Sequence, residues 1–244
     1  MKHRVGIVTA LAAEARVLAH RAVAPDRPIR LGEGRCLWLC GMGPSAAHEA
    51  AEALVREGAD ALAVFGVAGG LAPGLRSGTL FCPSRVIDAA GREYQPTPDW
   101  QAALASRLRT TAHPVRDNGT LLGLDAPLLG VADKQAMHAR HQALAVDMES
   151  AAVAAVASER QVPFVVLRAI VDECDDDVPL TLQSAVDAWG RPRTLALLAA
   201  LGRHPGLLAQ LPRLASRMRQ ATRALRAAAD AAGDGWARES CGPC

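Results

Sequence analysis

Short apolar runs that alternate with helix-patterned stretches constrain this chain more than any other feature. RVGIVTA at residues 4–10, CLWLC at 36–40, DALAVF at 60–65 and FVVLRAIV at 164–171 are bounded, uniformly apolar segments, which is how strands buried on both faces read. Helical segments at 11–20 and 45–57 follow the first two runs. Pro44 and Ser45 open the second of these helices, and Gly58 stands just past its end. Parallel strands need long crossover connections, so this alternation predicts an α/β fold: a three-layer α/β/α sandwich with a mixed, largely parallel central sheet. Further along, 79–88 reads as extended, 100–109 as helix, 121–130 as loop with short strands, 144–146 as a short strand and 149–160 as helix. There is no internal repeat.

After Asp177 the texture changes to helical segments interrupted by Pro179, Pro192, Pro205 and Pro212, residues that are costly inside a helix. The reading is a catalytic domain over 1–178, a helical Arg-rich extension over 179–232 packed on or beside it, and a disordered tail over 233–244. A chain of 244 residues, 50% hydrophobic and 21% charged, can bury one large core and is not expected to be disordered over most of its length.

The formal net charge of +2 is too small for a nucleic-acid-binding surface. Its distribution is uneven: residues 191–226 carry Arg191, Arg193, Arg203, Arg213, Arg217, Arg219, Arg223 and Arg226 and no acidic residue. Such a stretch needs a partner or a solvated face. Lysine occurs only at Lys2 and Lys134, a scarcity read as coding bias. Six cysteines without disulfide-rich spacing, and an N-terminus unlike a signal peptide, lead us to expect a cytoplasmic protein. No run of apolar residues is long enough and free of charge to span a bilayer, so any membrane contact is expected to be peripheral.

Three carboxylates fall just after expected strands, where side chains converge in an open α/β sheet. Glu14 follows the first strand, Glu149 follows the strand at 144–146, and Asp172 follows the strand at 164–171. An acid leaving a buried strand needs a partner or a task. On the residues alone, Glu14 also reads as a solvated acid in the first turn of a helix, and Glu149 as an ordinary helix N-terminal acid favoured by the dipole.

The stretches VGIVTALAAEA, GMGPSAAHEAA, FGVAGGLAPGLRSGT, VDMESAAVA and RAIVDECDD, in that order over roughly residues 5–177, resemble the nucleoside phosphorylase and nucleosidase family. The resemblance implies cleavage of a purine N-glycosidic bond through an oxocarbenium-like ribose, with the departing base protonated by an acid whose pKa burial raises. Asp172 matches that acid, although Val171 beside it replaces a small polar residue common in the family. Glu149 matches the carboxylate that accepts hydrogen bonds from the ribose hydroxyls, and Met148 the thioether that packs on the sugar. Ala68, Gly69, Gly70 and Val171 are the expected purine pocket, glycine allowing a ligand close to the backbone at Gly66, Gly69 and Gly70.

Water and phosphate are the two candidate nucleophiles. Glu14 stands where related nucleosidases place the acid that deprotonates water. The hexamer-forming phosphorylases place an Arg and a Ser where this chain has Val64 and Val67, and aliphatic side chains cannot hold a phosphate dianion. Hydrolysis is therefore favoured, with Arg16 or Arg76 as other routes to a phosphate site. No G-x-G-x-x-G follows the first strand, and the CxxC pair Cys241 and Cys244 is half a zinc site at most, so neither a cofactor nor a metal is expected.

The stretch from 187 to 228 looks like the hopanoid-associated phosphorylases, which implies adenosylhopane as substrate and adenine plus ribosylhopane, free or 1-phosphorylated, as products. Leu-rich segments with interleaved arginines over 193–226 can lie on an anionic membrane surface. They can equally close the active site or form a subunit interface. A methylthioadenosine or adenosylhomocysteine nucleosidase is the competing enzyme, and a silent purine-nucleoside-binding protein the competing class. The family resemblance also implies a homodimer whose neighbour completes the 5′ pocket.

Overall fold

The computed structural model describes residues 4–32, 34–179, 186–194, 203 and 207–236. Strand β1 (Val5–Thr9) pairs in parallel with β3 (Arg35–Leu39) on one side and β4 (Ala61–Gly70) on the other, and β2 (Pro28–Arg30) covers β3 in antiparallel fashion. On the far side of β4 runs β11 (Phe164–Ile170), parallel, followed outward by β5 (Leu80–Phe81) and β8 (Val115–Arg116). Past the end of β1, Gly69 and Gly70 pair antiparallel with β10 (Ala143–Asp147), which leads through β9 (Thr120–Gly123) and β6 (Arg85–Ile87) to β7 (Glu93–Tyr94). The sheet is mixed and largely parallel, as the alternation of apolar runs predicts.

Period-two side chains on β4 divide the core. Ala61, Ala63 and Phe65 face α1 (Ala12–Ala19), α3 (Pro98–Leu108) and a C-terminal helix α6 (Leu207–Ala232). Leu62 and Val64 face α2 (Pro44–Arg56) and α5 (Ser150–Glu159). Helices therefore cover both sheet faces, giving the three layers.

Two expectations change. First, β4 does not stop at Phe65 but runs through Gly70, so the glycines are strand and not loop. Their missing side chains make room: a Cβ on Gly66 would lie 2.5 Å from both Glu14 and Arg168. Second, a helix α4 (Val131–His141) follows the loop read at 121–130, with Lys134 its buried residue. Helix α6 packs on this core. Ala221, Ala224, Leu225, Ala228 and Ala232 form the buried stripe of α6, with spacing close to one helical face, and small alanines let the helix approach α1, α3 and β11. Pro212 lies in the second turn of α6, where its missing N–H deletes a single ladder bond near the helix start.

The expected disorder from residue 233 onward also gives way over its first residues. Gly233–Trp236 form a 3₁₀ turn that buries Trp236 completely, its ring edge-on to Phe65 at 5.6 Å and 78°. Cys241 and Cys244 lie outside the described residues, as do Pro205 and most of residues 195–206. Among the described residues no helix is long and apolar enough to cross a membrane, and no cluster of His, Cys, Asp and Glu has metal-binding geometry.

Candidate active site

The carboxyl ends of β1, β10 and β11 meet the glycine end of β4 around one cavity of about 250 Å³. Glu14, Ala68, Gly69, Met148, Glu149, Val171 and Asp172 all line it, although their positions span most of the chain. Gly70 stands just outside the wall, where its N–H donates to the Asp172 carbonyl at 2.7 Å and helps to fix the turn leaving β11.

Glu14 is not a solvated acid, being only 3% exposed. One carboxylate oxygen accepts the amides of Ala10 (3.1 Å) and Leu11 (2.9 Å), closing the first turn of α1, and the other accepts Val67 N–H at 2.8 Å. The side chain thereby bridges β1, α1 and β4. Burial raises its pKa above the usual carboxylate range, against the opposing pull of Arg168 and these three amides.

Glu149 precedes α5, but its carboxylate turns away from that helix. Oε1 accepts Gly43 N–H at 3.0 Å and Oε2 accepts Arg168 Nη2 at 3.2 Å. Arg168 comes from the middle of β11, is 1% exposed, and also pairs with Asp147 and reaches Ser150 Oγ at 3.2 Å. One guanidinium thus serves three buried carboxylates, Glu14, Asp147 and Glu149, and cannot neutralise them all. Burial, partly offset by Arg168 and reinforced by Asp147 and Glu14, pushes Glu149 up to about 7.

Asp172 sits at the other side of the cavity, beside Gly69, where an added Cβ would fall 3.2 Å from its carboxylate. Burial raises its pKa, opposed by Lys134, whose ammonium donates to Asp172 Oδ2. The next residues are tied down separately: Glu173 accepts from Ser77 N–H (3.1 Å), Arg76 (2.7 Å) and Arg217, while Asp176 accepts from Glu173 N–H (2.8 Å), Arg213 and Arg217. Two arginines of the acid-free stretch therefore find their counter-charges in the loop after Asp172.

Apart from Asp147, the rest of the wall is apolar, with Leu11, Met42, Pro127, Leu128, Leu129 and Val178 among its residues. Val67 lines the cavity, whereas Val64 points into the core against α2 and α5 and does not reach it. Sequence reasoning did not single out Arg168, Asp147 or Lys134. A lone arginine inside the apolar run FVVLRAIV was the available signal for Arg168, since a charge within a buried strand must be paired. Lys134 had only its rarity.

A model of the phosphorylase superfamily matches residues 4–201. Among solved structures, the chain is similar to 5′-methylthioadenosine/S-adenosylhomocysteine nucleosidase from Neisseria meningitidis in complex with methylthio-immucillin-A, with a TM-score of 0.69, 20% identity, and coverage of 93% of this chain and 97% of that one. It is similar also to futalosine hydrolase of Helicobacter pylori, with a TM-score of 0.65, 16% identity, and coverage of 93% and 97%. Identities this low speak for the shared fold, and the family match extends over most of the sequence. With the family model matched over residues 4–201, this chain belongs to the phosphorylase superfamily.

Proposed function

We propose that the protein cleaves the N-glycosidic bond of a 5′-substituted adenosine with water as nucleophile. The observation that carries the reading is that Glu14, Glu149 and Asp172 line one cavity, two of them fixed by backbone amides. In this mechanism Asp172 gives its proton to the imidazole nitrogen of the purine as the electron pair of the C–N bond leaves with the base. Glu149, in its ionised form, accepts hydrogen bonds from the ribose hydroxyls and offsets the positive charge growing on the ring, while Met148 packs on the sugar. Glu14 orients water and takes its proton as the water oxygen bonds to the anomeric carbon that the base has left. Ala68, Gly69 and Val171 flank the base, with Gly70 holding the strand end behind them.

Aliphatic Val67 in the wall favours water over phosphate, because a phosphate dianion needs charge-assisted donors. For the 5′ group we favour a hopanoid, adenosylhopane, on the likeness of residues 187–228 and the apolar wall from Leu11 and Met42 to Leu129 and Val178. Arg219, Arg223 and Arg226 form an exposed row on α6, suited to an anionic membrane surface on the cytoplasmic side. The working unit in this reading is a homodimer. A methylthioadenosine or adenosylhomocysteine nucleosidase is the second reading, favoured by the fold shared with the Neisseria enzyme.

The deciding experiment incubates purified protein with adenosylhopane, methylthioadenosine and adenosylhomocysteine, with and without phosphate, and weighs the sugar product by mass spectrometry. Free ribosylhopane in both conditions is expected. Efficient cleavage of methylthioadenosine with adenosylhopane untouched overturns the lipid reading, and a phosphate-dependent 1-phosphate product overturns hydrolysis. Flotation with anionic vesicles tests the membrane contact, and sedimentation the dimer.

A further inference from the structure

We propose that Lys134 is a positioning residue for the proton-donating carboxyl of Asp172, making it a stronger acid and stabilising the carboxylate left when the proton departs. The inference rests on the nucleosidase reading above. Lys134 is fully buried, and its ammonium spends three hydrogens on three acceptors: Asp172 Oδ2, the Glu173 carbonyl at 3.0 Å and the Asp176 carbonyl at 2.8 Å. It does not line the cavity and reaches it through Asp172. The two carbonyls belong to the turn that Arg76, Ser77, Arg213 and Arg217 hold through the Glu173 and Asp176 side chains. The ammonium is thus held at a fixed place against the acid.

Charge balance gives the arrangement its use. When the C–N bond breaks, its electrons leave with the base, the Asp172 proton moves to the base nitrogen, and Asp172 becomes an anion in a site largely closed to water. A buried anion needs a partner. Of the charged groups around Asp172, Asp176 opposes ionisation, and the carboxylate of Glu173 is turned away toward Ser77, Arg76 and Arg217. From α4, Lys134 is the cation in contact with it. Removing the ammonium leaves a carboxyl that keeps its proton to higher pH yet releases it less readily.

That pair of effects separates this role from a merely structural one. In Lys134→Met we expect kcat to fall by ~10²-fold, of the order of one general-acid contribution, while the alkaline limb of its pH profile moves up by about one unit or more. Lys134→Arg should bring the limb back toward the wild-type position. Lys134→Gln retains hydrogens for the two carbonyls without the charge and serves if the methionine variant does not fold. Infrared titration of the Asp172 carboxyl, assigned against Asp172→Asn, reads the same shift without turnover. An alkaline limb and a carboxyl titration unchanged in the uncharged variants overturn the proposal. Asp172→Asn measured in parallel distinguishes the failures: full turnover there removes the nucleosidase mechanism itself, whereas loss of turnover with an unmoved limb removes the role of Lys134 alone.

Discussion

Glu14, from α1 just after β1, and Arg168, from β11, close on Gly66 of β4, so that a side-chain carbon there would lie 2.5 Å from both Glu14 Oε1 and Arg168 Nη1. A methyl at residue 66 must displace the carboxylate, the guanidinium or the strand. Displacement of a reacting group by about 1 Å costs on the order of 10²-fold in rate, and forced overpacking costs about 1–3 kcal/mol in stability. Gly66→Ala is expected to lose ~10²-fold or more in kcat/KM. Steady-state kinetics beside a urea melt check it, and near-wild-type turnover would mean that the Glu14 position is not critical.

In the proposed mechanism, Glu149 gives the pH dependence of binding its acid limb. Burial, only partly offset by Arg168, pushes its pKa up to about 7, and that mechanism needs it ionised to accept from the ribose hydroxyls. As pH falls through about 7 the carboxylate takes up a proton, so KM is expected to rise. Glu149→Gln should abolish this limb while raising KM at every pH. The stability sign runs the other way: between the unfolded value of 4.5 and about 7 the folded state binds the extra proton, so stability declines as pH rises through that window. Thermal melts of wild type and Glu149→Gln at pH 5 and 8 test it, the variant losing less on going to the higher pH.

The strands and helices that position this site were legible where one physical signal dominated. β1, β3, β11, α2 and α5 fall within a few residues of the apolar runs and caps that announce them. Gly66 to Gly70 misled because glycine clusters usually mark turns, whereas here the strand needs them to pass beneath Glu14, Arg168 and Asp172. α4 escaped because VADKQAMHARH is polar, and what it contributes is the Lys134 contact and not an apolar face. The carboxylates were visible as acids following strands. Their counter-charges, Arg168 and Lys134, were not, since pairing across 19 and 38 residues is a property of the folded chain.

The clamp on the loop after Asp172 has its own acid dependence. Burial works against ionisation of Glu173, but Ser77 N–H, Arg76 and Arg217 outweigh it and hold the pKa below 4.5. Ionised Glu173 therefore stabilises the fold above pH 4.5, and this is lost as pH falls through the lowered folded value. Arg217→Ala leaves Glu173 with Arg76 and Ser77, and Asp176 with Arg213, so the expected loss at pH 7 is about 1–2 kcal/mol, near the lower end for an impaired buried acceptor. Urea denaturation at pH 7 and pH 4 checks both terms, with the gap between wild type and variant narrowing at the lower pH.

Trp236, just past α6, packs against β4, a strand far from it in sequence. Its side chain is fully buried, edge-on to Phe65, the residue before Gly66 on β4, and packed in the same cluster as Ala228 and Ala232 of α6. Its indole N–H has no partner among the described residues, so the contact rests on apolar packing. Trp236→Ala should cost about 3–5 kcal/mol, the usual range for emptying a core aromatic site, and Trp236→Phe less, because an aromatic ring remains against Phe65. Because Phe65 adjoins the glycine stretch, the cavity left by the alanine variant is also expected to loosen β4 under Glu14 and lower kcat/KM by about 10-fold, by the same positioning argument applied to a smaller shift. Denaturant unfolding and kinetics on both variants decide it. A chain cut after Ala232 that kept wild-type stability would show that α6 holds its place without this residue.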